Sequence, residues 1–308
     1  MWEVFLQTLP FFLLIGLGFT AGKIGFFTAE ATANLTKFVF YFALSALLFR
    51  FTSQISISDL FDGPAMAAYL VASLTHYSIM IAVALFRGHP LEEAGFEGHA
   101  AVHGNIGFIG IPMLGGLFGP EAVAVIVLLL FVDMVVFGSL VVVLVSLGRE
   151  GRITLASFAA VLRGLLSNPM ILAIVCGLTW SSTALSMPEP LGRFLDILGA
   201  AATPGALFAI GCSLAYKHVE EPATAVWLSA GKLILHPFFV FLGAYLIFPV
   251  DPFTAMVMVA AASLPVASNI YILAQHYDVL PERISAAILI STIAAIVTVP
   301  IVLSLAVP

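Results

Sequence analysis

Charge is what this chain has least of. Only 9% of its 308 residues are Asp, Glu, Lys or Arg, where a water-soluble domain carries roughly a quarter. With 61% hydrophobic residues and a mean hydropathy of +1.13, the chain cannot cover a water-facing surface and reads as a polytopic membrane protein. Its 11 Lys and Arg residues are spread over the whole length without a basic stripe, which argues against a nucleic-acid partner. The 2 cysteines, Cys176 and Cys212, form no CxxC pair and read as small core residues. The histidines stand at no metal-ligand spacing. No Ser–His–Asp or HExxH arrangement supplies a nucleophile with its base or a metal with its ligands, so an enzyme is not expected. Met1-Trp2-Glu3 lacks a basic n-region, and the apolar run from Val4 is itself long enough to span, so no cleavable signal is expected.

What the chain has in abundance is apolar runs of membrane-crossing length, about 20 residues each. Ten are expected, near 4–24, 34–52, 64–86, 99–117, 121–147, 159–180, 191–216, 224–248, 253–275 and 283–307. Breakers and charges separate them, as at Asp62-Gly63-Pro64, Gly88-His89-Pro90, Gly119-Pro120-Glu121 and Met187-Pro188-Glu189-Pro190. Ten spans put Lys23, Lys37, Arg87, Arg149, Arg152, Arg163, Lys217 and Arg283 on one side and only Arg50 and Arg193 on the other. Basic loops stay in the cytoplasm. The expectation is a cell-membrane protein with both termini outside and loop 148–158 inside.

An internal repeat fits that count. Pro10, Leu13, Ile15, Gly18 and Thr20 recur in register as Pro169, Leu172, Ile174, Gly177 and Thr179, and Ala43, Leu48 and Phe49 as Ala202, Leu207 and Phe208. Two halves, 1–150 and 151–308, each have five spans with a break in the fourth. Five is odd, so the second half inserts upside down, the inverted-repeat plan of secondary transporters. The expected fold is all-α, ten transmembrane helices in two inverted five-helix repeats, with the fourth and ninth helices broken and crossing.

The breaks are the chemically pointed segments. The first runs from His103 to Pro112 and the second from Ser263 to Asn269. Gly104, Gly107 and Gly110 ease unwinding, and Pro112 and Pro265 each remove a helix donor and free the carbonyl four residues earlier. Asn105 and Asn269 add amide donors and acceptors. Broken helix at bilayer depth survives only inside protein or beside a water-filled cavity. Two half-helix N-termini meeting there would each present roughly half a positive charge to an anion such as a carboxylate.

His103 to Pro112 resembles the fourth-helix motif of the auxin efflux carrier family, which includes plant PIN-like exporters and bacterial malate and malonate permease-like proteins. Ser263 to Tyr277 resembles its ninth-helix motif, Phe40 to Phe49 its second-helix signature, and Asn168-Pro169 the start of its sixth helix. The resemblance implies a scaffold part (helices 1, 2, 6 and 7), a transport part (helices 3–5 and 8–10), and an organic anion bound where the fourth and ninth helices cross. Carried over, the substrate residues are His103, Gly104, Asn105, Gly107, Pro265, Val266 and Asn269. Relatives also suggest a homodimer through scaffold helices. Gly104 stands where plant exporters carry a crossover proline and Ser45 where many relatives have proline, while Pro204 keeps the equivalent in the second half.

Charged groups in mid-span are functional candidates by default. Asp133 reads either as a proton carrier or as the static partner of Lys232. Lys232 either steers an anion or snorkels to the interface. His236 lies four residues after Lys232 on the same face, with Ser229 on that stripe, and His76 corresponds to it in the first half. Both histidines read chiefly as hydrogen-bonding partners of neighbouring helices. His103 either contacts substrate or a proton or is a solvated helix-start residue. His89, His99, His218 and His276 read as loop or interface residues. The expected function is a secondary carrier of a small organic carboxylate by alternating access, with no cofactor. Coupling to H+, to Na+ or to neither stays open. The alternatives are a sodium-coupled bile-acid-type symporter and a membrane receptor that binds the anion without moving it.

Overall fold

The computed structural model describes residues 2–153, 155–183, 185–217 and 221–306, so His218 lies outside the described residues. The protein is all-helical. In chain order the helices are α1 (Trp2–Lys23), α2 (Ala29–Thr52), α3 (Gly63–Phe86), α4 (Leu91–Val102), α5 (Ile106–Phe118), α6 (Pro120–Glu150), α7 (Leu155–Ser167), α8 (Pro169–Ser182), α9 (Glu189–Leu214), α10 (Pro222–Ile247), α11 (Pro252–Ala262), α12 (Asn269–Tyr277) and α13 (Pro281–Ala306), with a single turn at Ile57–Leu60 before α3. Among the described residues seven helices (α1, α2, α3, α6, α9, α10 and α13) are long and apolar enough to cross a membrane, and the α7–α8 pair, bent by 64°, makes an eighth if taken as one span.

Three apolar runs differ from simple spans. Run 99–117 starts earlier than the hydropathy suggests, because α4 begins at Leu91 behind Pro90, with Glu92 and Glu93 in its first turn. Acidic residues there favour the helix dipole, so a segment that reads as a charged loop is helical. Run 253–275 is divided into α11 and α12. Run 159–180 is divided at Asn168, whose side-chain oxygen caps the amides of Met170 and Ile171 at 3.0 and 3.4 Å and starts a new helix at Pro169.

Small residues set the closest helix approach. α1 packs along the second half of α9. A Cβ on Gly18 would stand 2.1 Å from the Phe208 carbonyl oxygen, and one on Gly211 would stand 1.9 Å from that of Ile15. Neither backbone can move aside, so this is the close contact that small residues permit between membrane helices. α8 packs on the second half of α2, α3 packs on α4 and α10, α4 on the second half of α6, and α10 on α13. α4 from Ala94 to Val102 and α11 from Ala255 to Ala262 are buried on every face. The helices that lead into the two breaks are therefore enclosed by protein. Cys212 is buried, but Cys176 is exposed on α8 and is not the core residue expected of it.

Several basic residues tie neighbouring helices together. Glu97 of α4, fully buried, takes Arg87 at 3.2 Å and Arg283 at 2.9 Å, and Arg283 also reaches Glu221 at 2.8 Å. Arg149 donates to the Tyr277 carbonyl. Lys217 sits 4.2 Å from the centre of the Tyr271 ring and 3.3 Å from Ser285 Oγ, tying the end of α9 to α12 and α13.

Gly211→Val should force α1 and α9 apart, where overpacking costs about 1–3 kcal/mol or more. Gly16→Ala on the same α1, with nothing within 4 Å of the new Cβ, should be silent. Thermal unfolding of the detergent-purified variants checks the pair; equal melting temperatures would refute the close α1–α9 contact.

Candidate functional site

The two breaks meet. Gly104 and Val266 form an isolated antiparallel bridge. The Asn105 N–H donates to the Pro265 carbonyl at 2.8 Å, and the Ala267 N–H donates to the His103 carbonyl at 3.1 Å. Each break thus supplies the partner that the other's backbone lost on leaving helical geometry. The Val266 N–H, on the outer side of the bridge, is taken by Ser291 Oγ of α13 at 3.1 Å. His103, Gly104, Asn105, Gly107, Pro265 and Val266 are all buried, whereas Asn269 is exposed.

Not every donor at the crossing is paired. The backbone amides of Gly107 and Phe108 lie in the first turn of α5, where a helix leaves its N–H groups without an acceptor of its own. Asn105 Nδ2 and His103 Nδ1 are buried and unpaired. Such orphans are rare in folded proteins and mark sites that need an explanation. Asn269 Nδ2 lies 3.3 Å from His103 Nε2, and the His103 and His99 rings approach to 4.8 Å. His99 is therefore a buried neighbour of the crossing, not a loop residue. Phe40 of α2 stacks on Phe108 with ring planes 7° apart and centres 6.1 Å apart, giving the crossing an apolar wall.

The charged candidates are arranged differently from the sequence expectation. Lys232 does not snorkel: it is fully buried. It also forms no ion pair with Asp133. Its ammonium donates to the Ala262 carbonyl at the end of α11 and lies 3.2 Å from His236 Nδ1. An ammonium has no acceptor, so Nδ1 is the acceptor and the His236 Nε2–H donates to Ser73 Oγ at 2.9 Å. Asp133 Oδ1 instead accepts from the Tyr69 hydroxyl at 2.8 Å, and its Oδ2 is buried without a partner. His76 stacks between His236 and Phe239, at 5.8 and 5.5 Å. Both of its ring nitrogens are buried without a hydrogen-bond partner among the described residues, unlike the helix-to-helix bonding expected of it. Asp133 and Lys232 each lie in a π-helical turn, Asp133–Phe137 and Gly231–Leu235, a local widening common at functional sites.

The sequence reading passed over Tyr69, Ser73, Ser291 and the Glu97 cluster. Tyr69, Ser73 and His76 stand at helical spacing on one face of α3, and that polar stripe in an apolar run was the available signal. His89 pairs with Glu93 at 3.0 Å, and His276 is exposed near the end of α12.

Comparison with known proteins bears on what this arrangement is for. Residues 3–303 match the family described as "Membrane transport protein". The chain belongs to that family, the auxin efflux carrier-like group that its fourth- and ninth-helix motifs resemble. This transporter is 32% identical over 295 residues to a protein of Rhizobium meliloti (strain 1021) named "Putative malonate transporter", covering 94% of this chain and 92% of that protein. It is 25% identical over 297 residues to an "Uncharacterized transporter" of Methanothermobacter thermautotrophicus, covering 94% of each. It is 24% identical over 310 residues to the "Uncharacterized transporter YfdV" of Escherichia coli (strain K12), covering 95% and 94%. It is thus an integral membrane transporter and not an enzyme.

Ser291→Ala should leave the buried Val266 N–H without an acceptor, at about 1–3 kcal/mol. The expected result is a lowered melting temperature, with Ser291→Thr close to wild type. An unchanged melting temperature in Ser291→Ala would mean that the bridge does not lean on α13.

Proposed function

We propose that the protein is a secondary carrier of a small organic carboxylate, with a short dicarboxylate such as malonate the first to test, and that the carboxylate docks at the crossing of α4–α5 with α11–α12. One observation carries this reading: Asn105 Nδ2 is buried without a partner, next to the first-turn amides of Gly107 and Phe108, which a helix start leaves without an acceptor of its own. A carboxylate accepts such bonds at a helix N-terminus without needing an arginine. Asn269, exposed beside it, offers a further amide, and the stacked Phe40 and Phe108 offer contact for the carbon chain. The name of the Rhizobium relative supports malonate as the first candidate.

In this reading the chain has ten membrane helices in two inverted five-helix repeats, residues 1–150 and 151–308. α4–α5 is the fourth helix, α7–α8 the sixth and α11–α12 the ninth. α1, α2, α7–α8 and α9 form the scaffold, which would carry any homodimer contact. α3, α4–α5, α6, α10, α11–α12 and α13 form the transport part. The packing of α1 on α9 and of α8 on α2, against that of α3 on α4 and α10, supports the division. Alternating access would move the transport part past the scaffold, carrying the crossing with it. The end rich in Lys and Arg, with loop 148–158, faces the cytoplasm of a cell-membrane protein, and both termini lie outside.

Uptake of radiolabelled malonate into proteoliposomes tests this. Hydrogen bonds to charged groups are worth about 1.5–3 kcal/mol, so Asn105→Ala should lower flux roughly ten- to a hundredfold. Cys176→Ala, on the exposed side of α8, should leave it unchanged. Full flux in Asn105→Ala would put docking elsewhere. Saturable malonate binding with no flux would make the protein a receptor.

A further inference from the structure

Transporters built on interrupted helices bind their coupling cation at unwound carbonyls and at the C-terminal ends of half-helices, where the dipole is negative. The end of α11 is such a place, and every carbonyl of its last turn already has a donor from the protein. The Ser263 N–H serves Val259 and Ala260, and Ser263 Oγ adds a second bond to Ala260 at 2.7 Å. The Leu264 N–H serves Ala261 at 3.2 Å. The terminal carbonyl, that of Ala262, is taken by the Lys232 ammonium.

The ammonium is held firmly. Lys232 is fully buried, and His236, held in one tautomer by the ammonium itself, turns its free nitrogen toward Nζ at 3.2 Å. The side chain also lies directly beneath the crossing. A Cβ on Gly104 would stand 3.1 Å from Nζ and 3.2 Å from Cε. The absence of a side chain at residue 104 is what admits a cation to the middle of the bridge. Asp133 is bonded to Tyr69 and forms no ion pair with Lys232.

We infer that Lys232 is a tethered cation standing where a coupling sodium ion would otherwise bind, so that the protein works without sodium and the residue positions the crossing without itself meeting the substrate. This rests on the carrier reading above and deepens it.

The test compares wild type, Lys232→Ala and Lys232→Met in sodium chloride, choline chloride and choline chloride with added methylammonium, reading both melting temperature and malonate flux. Wild type should melt and transport alike in sodium and choline. Lys232→Ala should lose roughly ten- to a hundredfold in flux in choline, the effect of one charge-assisted hydrogen bond. It should recover flux and raise its melting temperature when sodium or methylammonium can enter the space left by the side chain. Should Lys232→Ala fail to fold, Lys232→Met keeps the apolar stem and must show the same gain of cation dependence. A sodium requirement in wild type overturns the inference. So does full activity of either variant in choline, or a lost activity that no cation restores in melting temperature or flux. If no carboxylate is moved by any form, the carrier reading fails, while the melting temperatures still report on the cation.

Discussion

A bilayer offers nothing to hydrogen-bond a free amide or carbonyl, and the structure is organised around meeting that demand at the one place where two helices stop short. The solution is mutual. Asn105 and Ala267 give their amides to Pro265 and His103 across the bridge, Ser291 closes the outer amide, and Lys232 closes the last carbonyl of α11. Carbonyl ends on the α11 side are thereby satisfied from within. The first-turn amides of α5 have no acceptor within their own helix. In the proposed reading, that asymmetry, negative end closed and positive end open, is what suits the crossing to an anion.

The polar groups behind the crossing follow from the same demand. Lys232, His236 and Ser73 form a directed chain, ammonium to Nδ1 and Nε2–H to Oγ, and a buried charge is tolerated only with such partners. Tyr69 does the same for one oxygen of Asp133. These residues come from α3, α6 and α10, so the network also fixes how those helices sit around the broken pair. Glu97, between Arg87 and Arg283, fastens α3, α4 and α13 together.

Much of this was legible in the sequence. The low charge and the apolar runs gave the class, and Gly, Pro and Asn at His103–Pro112 and Ser263–Asn269 marked where the backbone leaves the helix, because those residues remove donors or tolerate unwinding. Other features were not. Lys232 and Asp133 look like a pair from charge alone, but pairing depends on which helix faces turn together, and that is decided by packing. The bend at Asn168 is a capping event inside a continuous apolar run, invisible to hydropathy. Glu97 was missed because three glutamates after Pro90 read as a loop, whereas Glu92 and Glu93 stand in the first turn of α4, where they are favourable, and Glu97 farther along is buried against two arginines.

The claim that the rest depends on is that the open amide end of α5 receives the anion. Amide proton and nitrogen chemical shifts of Asn105, Gly107 and Phe108, followed by NMR as malonate is added to the protein in nanodiscs, test it most directly. Selective, saturable downfield shifts of the Gly107 and Phe108 amide protons, with Asn105 Nδ2 moving in step, are the predicted result. Saturable binding that leaves those three signals where they were would contradict it.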